Sequence, residues 1–388
     1  MLWQRLGKWF RAALPVVTAQ RPPRRESTRR ATLELLEQRE LLAAGSFPRG
    51  ALETSAIPHL AARSVELQRL SAPASLAGQH TVGNAIVAPS RGARHRFGTT
   101  GLIQTLTNLV YLNSGGRQET LDVYRPAGPA PAGGWPVVIA IHGGGWFKFS
   151  KDDFGRVVAP LAKHGYVVVS INYQLAFPGA PSWPQNFEDV RASVRWVRQN
   201  AAALGIDPTR IAALGESAGG QLAALLGTNP DGPLSSGTSP SAPASDGSGS
   251  SAVSARVQAV VDFYGPTDLA ALVAASPNGS ASRVELFLGG LPDQVPNSYI
   301  DASPIDHVSS SAAPMLIIHG SADQVVPVDQ SKELSIALTA AGVPNQLIIV
   351  PGGTHDAKLG TGLVFDGHSF LPAVLQFLDT TLSSAAIP

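Results

Sequence analysis

Short apolar runs recur along this chain with enough sequence between them for one helix each, and that rhythm predicts most of the fold. WPVVIAIHG and YVVVSINYQ hold successive β-branched residues, the pattern of strands covered on both faces of a mostly parallel sheet. Between them KDDFGRVVAPLAKHG supplies a crossover helix ending at Gly165. FEDVRASVRWVRQNAAALG places Phe187, Val190, Val194, Val197 and Ala201 at helical spacing, and RIAALGES predicts the next strand. VQAVVDFYG, PMLIIHG and NQLIIVPGG predict three more, with SKELSIALTAAG as a helix after the second. A last helix is expected through Leu371, Val374, Leu375, Phe377 and Leu378. Repeated βαβ units of this kind predict one doubly wound α/β core with helices on both faces of its sheet. Upstream, residues 109–111 and 121–124 read as two short strands joined through Asn113, Ser114, Gly115 and Gly116, so the domain is expected to span about 101–385.

Three stretches fall outside that rhythm. Residues 1–45 open with basic residues around a short apolar piece, 12–17, that is interrupted by Pro15; this reads as an export-like leader or a disordered tail. Residues 33–42 resemble an LE-x-LE-x-R-x-LL motif found ahead of the mature part of exported or surface proteins, which implies an exported or surface location; a cytoplasmic one is the alternative, and a short amphipathic helix is the plainer reading of the same leucines. Residues 46–100, rich in Ala, Ser, Gly and Pro, read as linker or peripheral structure. The Ser/Gly/Pro-rich segment at about 230–255 has almost no core-forming material and reads as a solvent-exposed insertion, with a lid or contact arm as the other possibility.

Composition narrows the chemistry. A chain of 388 residues, 44% of them hydrophobic, buries a large core. With 29 basic against 28 acidic residues the formal charge is +1, which gives no global argument for nucleic acid and favours a neutral or weakly charged substrate. The absence of cysteine removes disulfides, thiol nucleophiles and thiolate metal sites. The histidines show no HExxH or Cys/His ligand spacing, so no metal or other cofactor is expected. No apolar run is long enough to cross a bilayer. Nothing in the residues indicates an oligomeric state.

GESAG, residues 215–219, lies between a strand pattern and an Ala/Leu-rich helix pattern, the setting in which a tight strand-to-helix turn exposes a serine nucleophile, Ser217. HGGGW follows WPVVIAI, where backbone amides of Gly144 and Gly145, with Ala218 after the nucleophile, suit an oxyanion; Gly143 is the alternative donor. His142 reads as a brace for that loop, and Trp146 as either a pocket wall or a cover for the core edge. Glu216 is placed to orient a neighbouring loop or approach the histidine, or is simply solvated. Asp323 follows the strand PMLIIHG and is preferred as triad acid over Asp329, which reads as a helix cap. His355 follows LIIVPGG and is preferred as base over His368, at the start of the last helix pattern, and His319, which reads as packing locally.

With those residues in view, the segment of roughly 101–385 resembles the hormone-sensitive-lipase-like and bacterial carbohydrate and feruloyl-esterase-like branch of the α/β-hydrolases, through LDVYRP, HGGGW, FEDVRASVRWVRQNAAALGIDPTRIAALGESAGG, FYGPTD, SPIDHV and LIIHGSADQVVP. The resemblance implies Ser217 as nucleophile, His355 as base, Asp323 as acid and the HGGG and Ala218 amides as oxyanion hole. It also marks Asp189 and Asp268 as structurally retained acids. GGTHDAKLG departs from the family's usual surroundings of the histidine. The implied activity is cofactor-free hydrolysis of short or aromatic acyl esters, with acetylated or feruloylated carbohydrates as candidate substrates. The same order of residues also suits a prolyl-oligopeptidase-like peptidase, and a third reading is a binding module that keeps the fold without the chemistry.

Overall fold

Successive residues of the central strands feed opposite sides of one sheet, which is why those runs show no polar alternation. A computed structural model of the chain describes residues 103–384 except 115, 235–252, 276–278, 356–358 and 361. The readings made on residues 1–100, and most of the insertion at 230–255, lie outside the described residues.

The order opens with an antiparallel hairpin, β1 (Ile103–Ser114) and β2 (Arg117–Pro126), longer than the two short runs suggested. β3 (Trp135–Ile141), α1 (Lys151–Val158) and β4 (Val167–Ile171) follow. Next come α2 (Gln185–Gln199), the single turn α3 (Ala201–Leu204), β5 (Ile206–Glu216) and α4 (Ala218–Thr228). β6 (Ala259–Phe263) leads into α5 (Leu269–Ala275), α6 (Ser280–Leu288) and α7 (Pro296–Ala302), three helices the periodicity did not announce. β7 (Met315–Gly320), α8 (Asp329–Ala340), β8 (Asn345–Val350), a two-residue-per-strand hairpin of β9 (Val364–Phe365) and β10 (His368–Ser369), and α9 (Leu371–Ser384) complete the described chain.

The crossover expected as one helix up to Gly165 is two pieces. A capping box starts α1: Asp152 N–H donates to Ser150 Oγ at 3.3 Å and Ser150 N–H to Asp153 Oδ2 at 2.9 Å. Pro160 then has no N–H to continue the α-helical ladder, and the chain tightens into a 3-10 segment, Ala159–His164, closed by Gly165 at φ 94°.

The eight-stranded sheet runs β1-β2-β4-β3-β5-β6-β7-β8. β2 is antiparallel to β1 and β4, and every pair from β4 through β8 is parallel. This is the α/β-hydrolase arrangement. Val137, Ile139 and Ile141 of β3 join one apolar layer with Phe187, Val190 and Val194 of α2, Leu222 and Leu225 of α4 and Leu334 of α8. Val138 and Ala140 join the other, with Phe154 and Val158 of α1 and Val374 and Leu378 of α9. Each fully buried Val, Leu, Ile or Phe contributes roughly 1.5–3 kcal/mol, so the two-sided covering of β3 to β7 dominates the stability of the sheet. Because these strands are parallel, the loops after β3, β5, β7 and β8 all emerge at one edge.

Candidate active site

At that edge β5 turns into α4 through a single residue. Ser217 adopts φ 52° and ψ −121°, a conformation costly for a residue with a Cβ. It is held by its N–H donating to Phe263 O at 2.9 Å and its carbonyl accepting from Gln221 N–H at 3.0 Å. The flanking glycines make the turn possible by close approach: a Cβ on Gly215 would lie 2.1 Å from Gly219 O, and one on Gly219 2.1 Å from Ile141 O.

Ser217 Oγ is 2.9 Å from His355 Nε2, and His355 Nδ1 is 2.7 Å from Asp323 Oδ2. A carboxylate only accepts, so Nδ1 carries the hydrogen and Nε2 is left to accept from the serine hydroxyl. Asp323 Oδ1 accepts from the N–H groups of Val325 at 2.8 Å and Val326 at 2.9 Å. Burial acts to raise the Asp323 carboxyl, but hydrogen bonds from His319 and His355, attraction to His355 and the Val326 amide outweigh it, holding the group well below the usual carboxylate range.

His319, which the sequence reading left as local packing, packs at the site itself. It is fully buried, with Nε2 2.9 Å from Val326 O and 3.3 Å from Asp323 Oδ2, and Nδ1 2.6 Å from Ser331 Oγ. Both neighbours of Nε2 are acceptors, so that nitrogen carries the hydrogen and Ser331 donates to Nδ1. Tyr264 supports the other side: its ring meets His355 edge-on at 4.9 Å, and its hydroxyl donates to Glu216 Oε2 at 3.0 Å. Glu216 therefore reaches the histidine's surroundings through Tyr264.

The glycine loop lies against this turn. A Cβ on Gly143 would be 2.9 Å from Glu216 O and 3.3 Å from Ser217 Cβ. Gly144 and Gly145 have φ 104° and 61°, and a Cβ on Gly144 would be 2.2 Å from Lys148 O. His142 beneath them is buried, with Nδ1 donating to Gly143 O at 2.8 Å and its ring stacked on Tyr173 at 4.3 Å. Burial pushes this imidazole down to about 4, so it is neutral near pH 7 and acts as a brace. Ala218 is the first residue of α4, where an N–H has no acceptor within its own helix. Gly144, Gly145 and Ala218 border a cavity of about 220 Å³ together with Ser217 and His355, whereas Gly143 does not line it. Trp146 lines the cavity and is buried, stacked on Phe287 of α6 at 4.5 Å, with Nε1 donating to Gln221 Oε1 at 2.9 Å.

A family model described as BD-FAE matches residues 121–338, more than half of the chain. The chain belongs to the BD-FAE family. Among individual proteins it is similar to the probable carboxylic ester hydrolase LipM of Mycobacterium tuberculosis, 32% identical over 219 residues, 56% of this chain and 48% of that one. It is similar also to the esterase LipQ of the same organism, 34% identical over 238 residues, 59% of this chain and 51% of that one. The chain thus spans about half the length of these curated relatives. Among solved structures it resembles a truncated form of a carbohydrate esterase from gut microbiota, at 30% identity and a TM-score of 0.59, covering 72% of this chain and 96% of that one.

The BD-FAE match includes Ser217 and Asp323 but ends before His355, which only the fold brings to the other two. The competitors lie elsewhere. Asp329 opens α8 and pairs with Lys332 at 2.9 Å, and His368 is exposed on β10, ahead of the last helix rather than within it. Asp189 is buried in a two-pronged pair with Arg117 at 2.6 and 2.7 Å, tying β2 to α2, and Asp268 caps α5 by accepting from Ala271 N–H at 2.9 Å. Among the described residues no cluster of three or more His, Asp or Glu is arranged to hold a metal ion, and no helix is long and apolar enough to cross a membrane. Sequence reading missed Tyr264, Phe147, Lys148, Leu272, Arg283 and Val284 as cavity residues. Tyr264 had a signal, since it directly follows β6 beside the strand that carries Ser217; Arg283 had none, since its helix was not foreseen.

Proposed function

We propose that this chain is a serine carboxylic ester hydrolase working through an acyl-enzyme. The observation that carries the reading is the run Ser217 Oγ, His355 Nε2, His355 Nδ1, Asp323 Oδ2, linked at 2.9 and 2.7 Å and opening on a cavity. His355 takes the Ser217 proton as the oxygen attacks the ester carbonyl, and the amides of Gly144, Gly145 and Ala218 receive the negative charge that forms on the carbonyl oxygen. Asp323 keeps its charge and stabilises the imidazolium. Collapse expels the alcohol, which takes the proton from His355; a water activated by the same histidine then releases the acid. A cavity of about 220 Å³ is smaller than the roughly 300–1,000 Å³ of drug-sized sites, which supports a short acyl group. The esterase names of the relatives and the carbohydrate esterase among the similar structures support an acylated sugar or small alcohol as the other half. The basic opening segment and the leucine motif at residues 33–42 support export, which fractionation of the producing cells tests by finding the chain outside the cytoplasm.

The test is a chain-length series of p-nitrophenyl esters beside acetylated xylan, methyl ferulate and an aminoacyl anilide, with Ser217→Ala as background. Turnover falling with acyl length and lost in Ser217→Ala, with phenylmethylsulfonyl fluoride labelling only Ser217, is the expected result. Full activity in Ser217→Ala would refute the mechanism, and faster anilide than ester cleavage would move the assignment to a peptidase.

A further inference from the structure

We propose that Arg283, assisted by Lys148, binds a carboxylate on the part of the ester that reaches the cavity rim, so that the preferred substrates are esters bearing a negative charge. This rests on the ester-hydrolase reading above and names the substrate class of the same site.

The position of Arg283 is the first reason. Val284, Phe287 and Leu288 bury one face of α6, and the stacking of Phe287 on Trp146 seats that helix beside the glycine loop. Arg283 is left half-buried and lining the cavity, with its Cδ 3.4 Å from where a Cβ on Gly145 would stand. Its stem therefore runs along a loop that flanks Ser217.

Its lack of a partner is the second. Arg117, Arg191, Arg195 and Arg210 each have a carboxylate at 2.6–3.4 Å. Among the described residues no carboxylate oxygen comes within 4.0 Å of the Arg283 guanidinium, and Ser280 at the same helix start is occupied with Val325 O at 2.8 Å. A guanidinium stays charged at any working pH and presents a fork that matches a carboxylate. Half-buried and without a carboxylate among the described residues, it presents that fork to a substrate in the cavity.

The third reason is the balance of charge around the opening. Lys148, exposed, adds a second cation, with Nζ 5.7 Å and 4.9 Å from the rings of Phe147 and Phe149. Against these stands Glu216, whose carboxylate already accepts from Tyr264. The chain's formal charge of +1 hides this local excess. The cavity is about 220 Å³ and both cations line it together with Ser217, so a substrate that acylates Ser217 carries any charged group within a short span of them.

Two matched pairs test the proposal and locate the charge. For the alcohol side, para-acetoxybenzoate is compared with its methyl ester; for the acyl side, p-nitrophenyl hemisuccinate is compared with p-nitrophenyl butyrate. The wild type is expected to favour the anionic member of at least one pair in kcat/KM. Arg283→Ala should lower that preference about tenfold, the scale of one charge-assisted contact, with Arg283→Lys between. The preference should also shrink at about 1 M salt, where the screening length falls to roughly 3 Å. Lys332→Ala, which removes a cation exposed on α8, should leave it unchanged. Neutral esters turned over by the wild type with an anionic-to-neutral ratio that Arg283→Ala does not move would overturn the anion site alone. No Ser217-dependent turnover of any of the four would overturn the ester-hydrolase reading with it.

Discussion

Replacing Asp262 with Asn should expose an acid sensitivity that the wild type masks. Asp262, the residue before the last of β6, is fully buried; Oδ1 accepts from Gly265 N–H at 2.9 Å, and Oδ2 has no hydrogen-bond partner among the described residues. Burial pushes its carboxyl up to about 6, against the pull of the Gly265 amide and His319. Between the ordinary 3.8 and about 6 the folded chain holds a proton that the unfolded chain has lost, so this group stabilises at low pH and that stability is lost as pH rises through about 6. His142 works in the opposite direction: between 6.5 and about 4 the unfolded chain binds a proton that the buried ring refuses, so stability falls as pH falls. Each displacement corresponds to about 3 kcal/mol at 1.36 kcal/mol per pH unit, and over pH 4–6 the two nearly cancel. In Asp262→Asn only the His142 effect remains. Relative to wild type, the variant should lose about 3 kcal/mol between pH ~7.5 and ~4, or roughly 6–12 °C in Tm at about 2–4 °C per kcal/mol. Urea and thermal melts of both proteins across that range measure the difference, in which every other titrating group drops out. A gap between the two melting curves that stays constant with pH would show that Asp262 ionises at its ordinary value, and the reasoning would fail.

Two further outcomes follow from the site. Gly219→Ala places a Cβ 2.1 Å from Ile141 O, a backbone atom that cannot step aside, so the turn at Ser217 should lose its geometry, with a cost of about 1–3 kcal/mol in melting and near-complete loss of turnover; an unchanged Tm with full activity would contradict it. His319→Leu, which removes the donor to Asp323, should lower kcat about tenfold or more with KM little changed, since a hydrogen bond to a charged group is worth about 1.5–3 kcal/mol; steady-state kinetics with an unchanged kcat would contradict it.

What local sequence determined is whatever a few neighbouring residues decide by themselves. Gly215 is required by a contact the turn makes with its own far end, Gly219 O, and Gly144 by a close approach to Lys148, so these two positions were legible without the fold, whereas Gly219 is required by Ile141 O of the neighbouring strand β3. The apolar strands were legible because both faces of β3 to β7 are covered, leaving no polar alternation to misread. The order Ser217, Asp323, His355 was legible because parallel strands end at one edge whatever lies between them.

The rest depended on packing between distant segments. α5 and α6 were not foreseen, and it is the fold that brings Leu272, Arg283 and Val284 to the cavity and stacks Phe287 on Trp146. His319 and Tyr264 look like ordinary strand-end residues until β7 and β6 are laid beside Asp323 and His355. That Arg283 lines the cavity with no carboxylate within 4.0 Å among the described residues is visible only once the segments are placed, because a count of +1 for the whole chain carries no information about where its cations lie. Backbone turns and strand ends are local properties of the chain; the distribution of partners among buried and half-buried polar groups is a property of the tertiary structure alone.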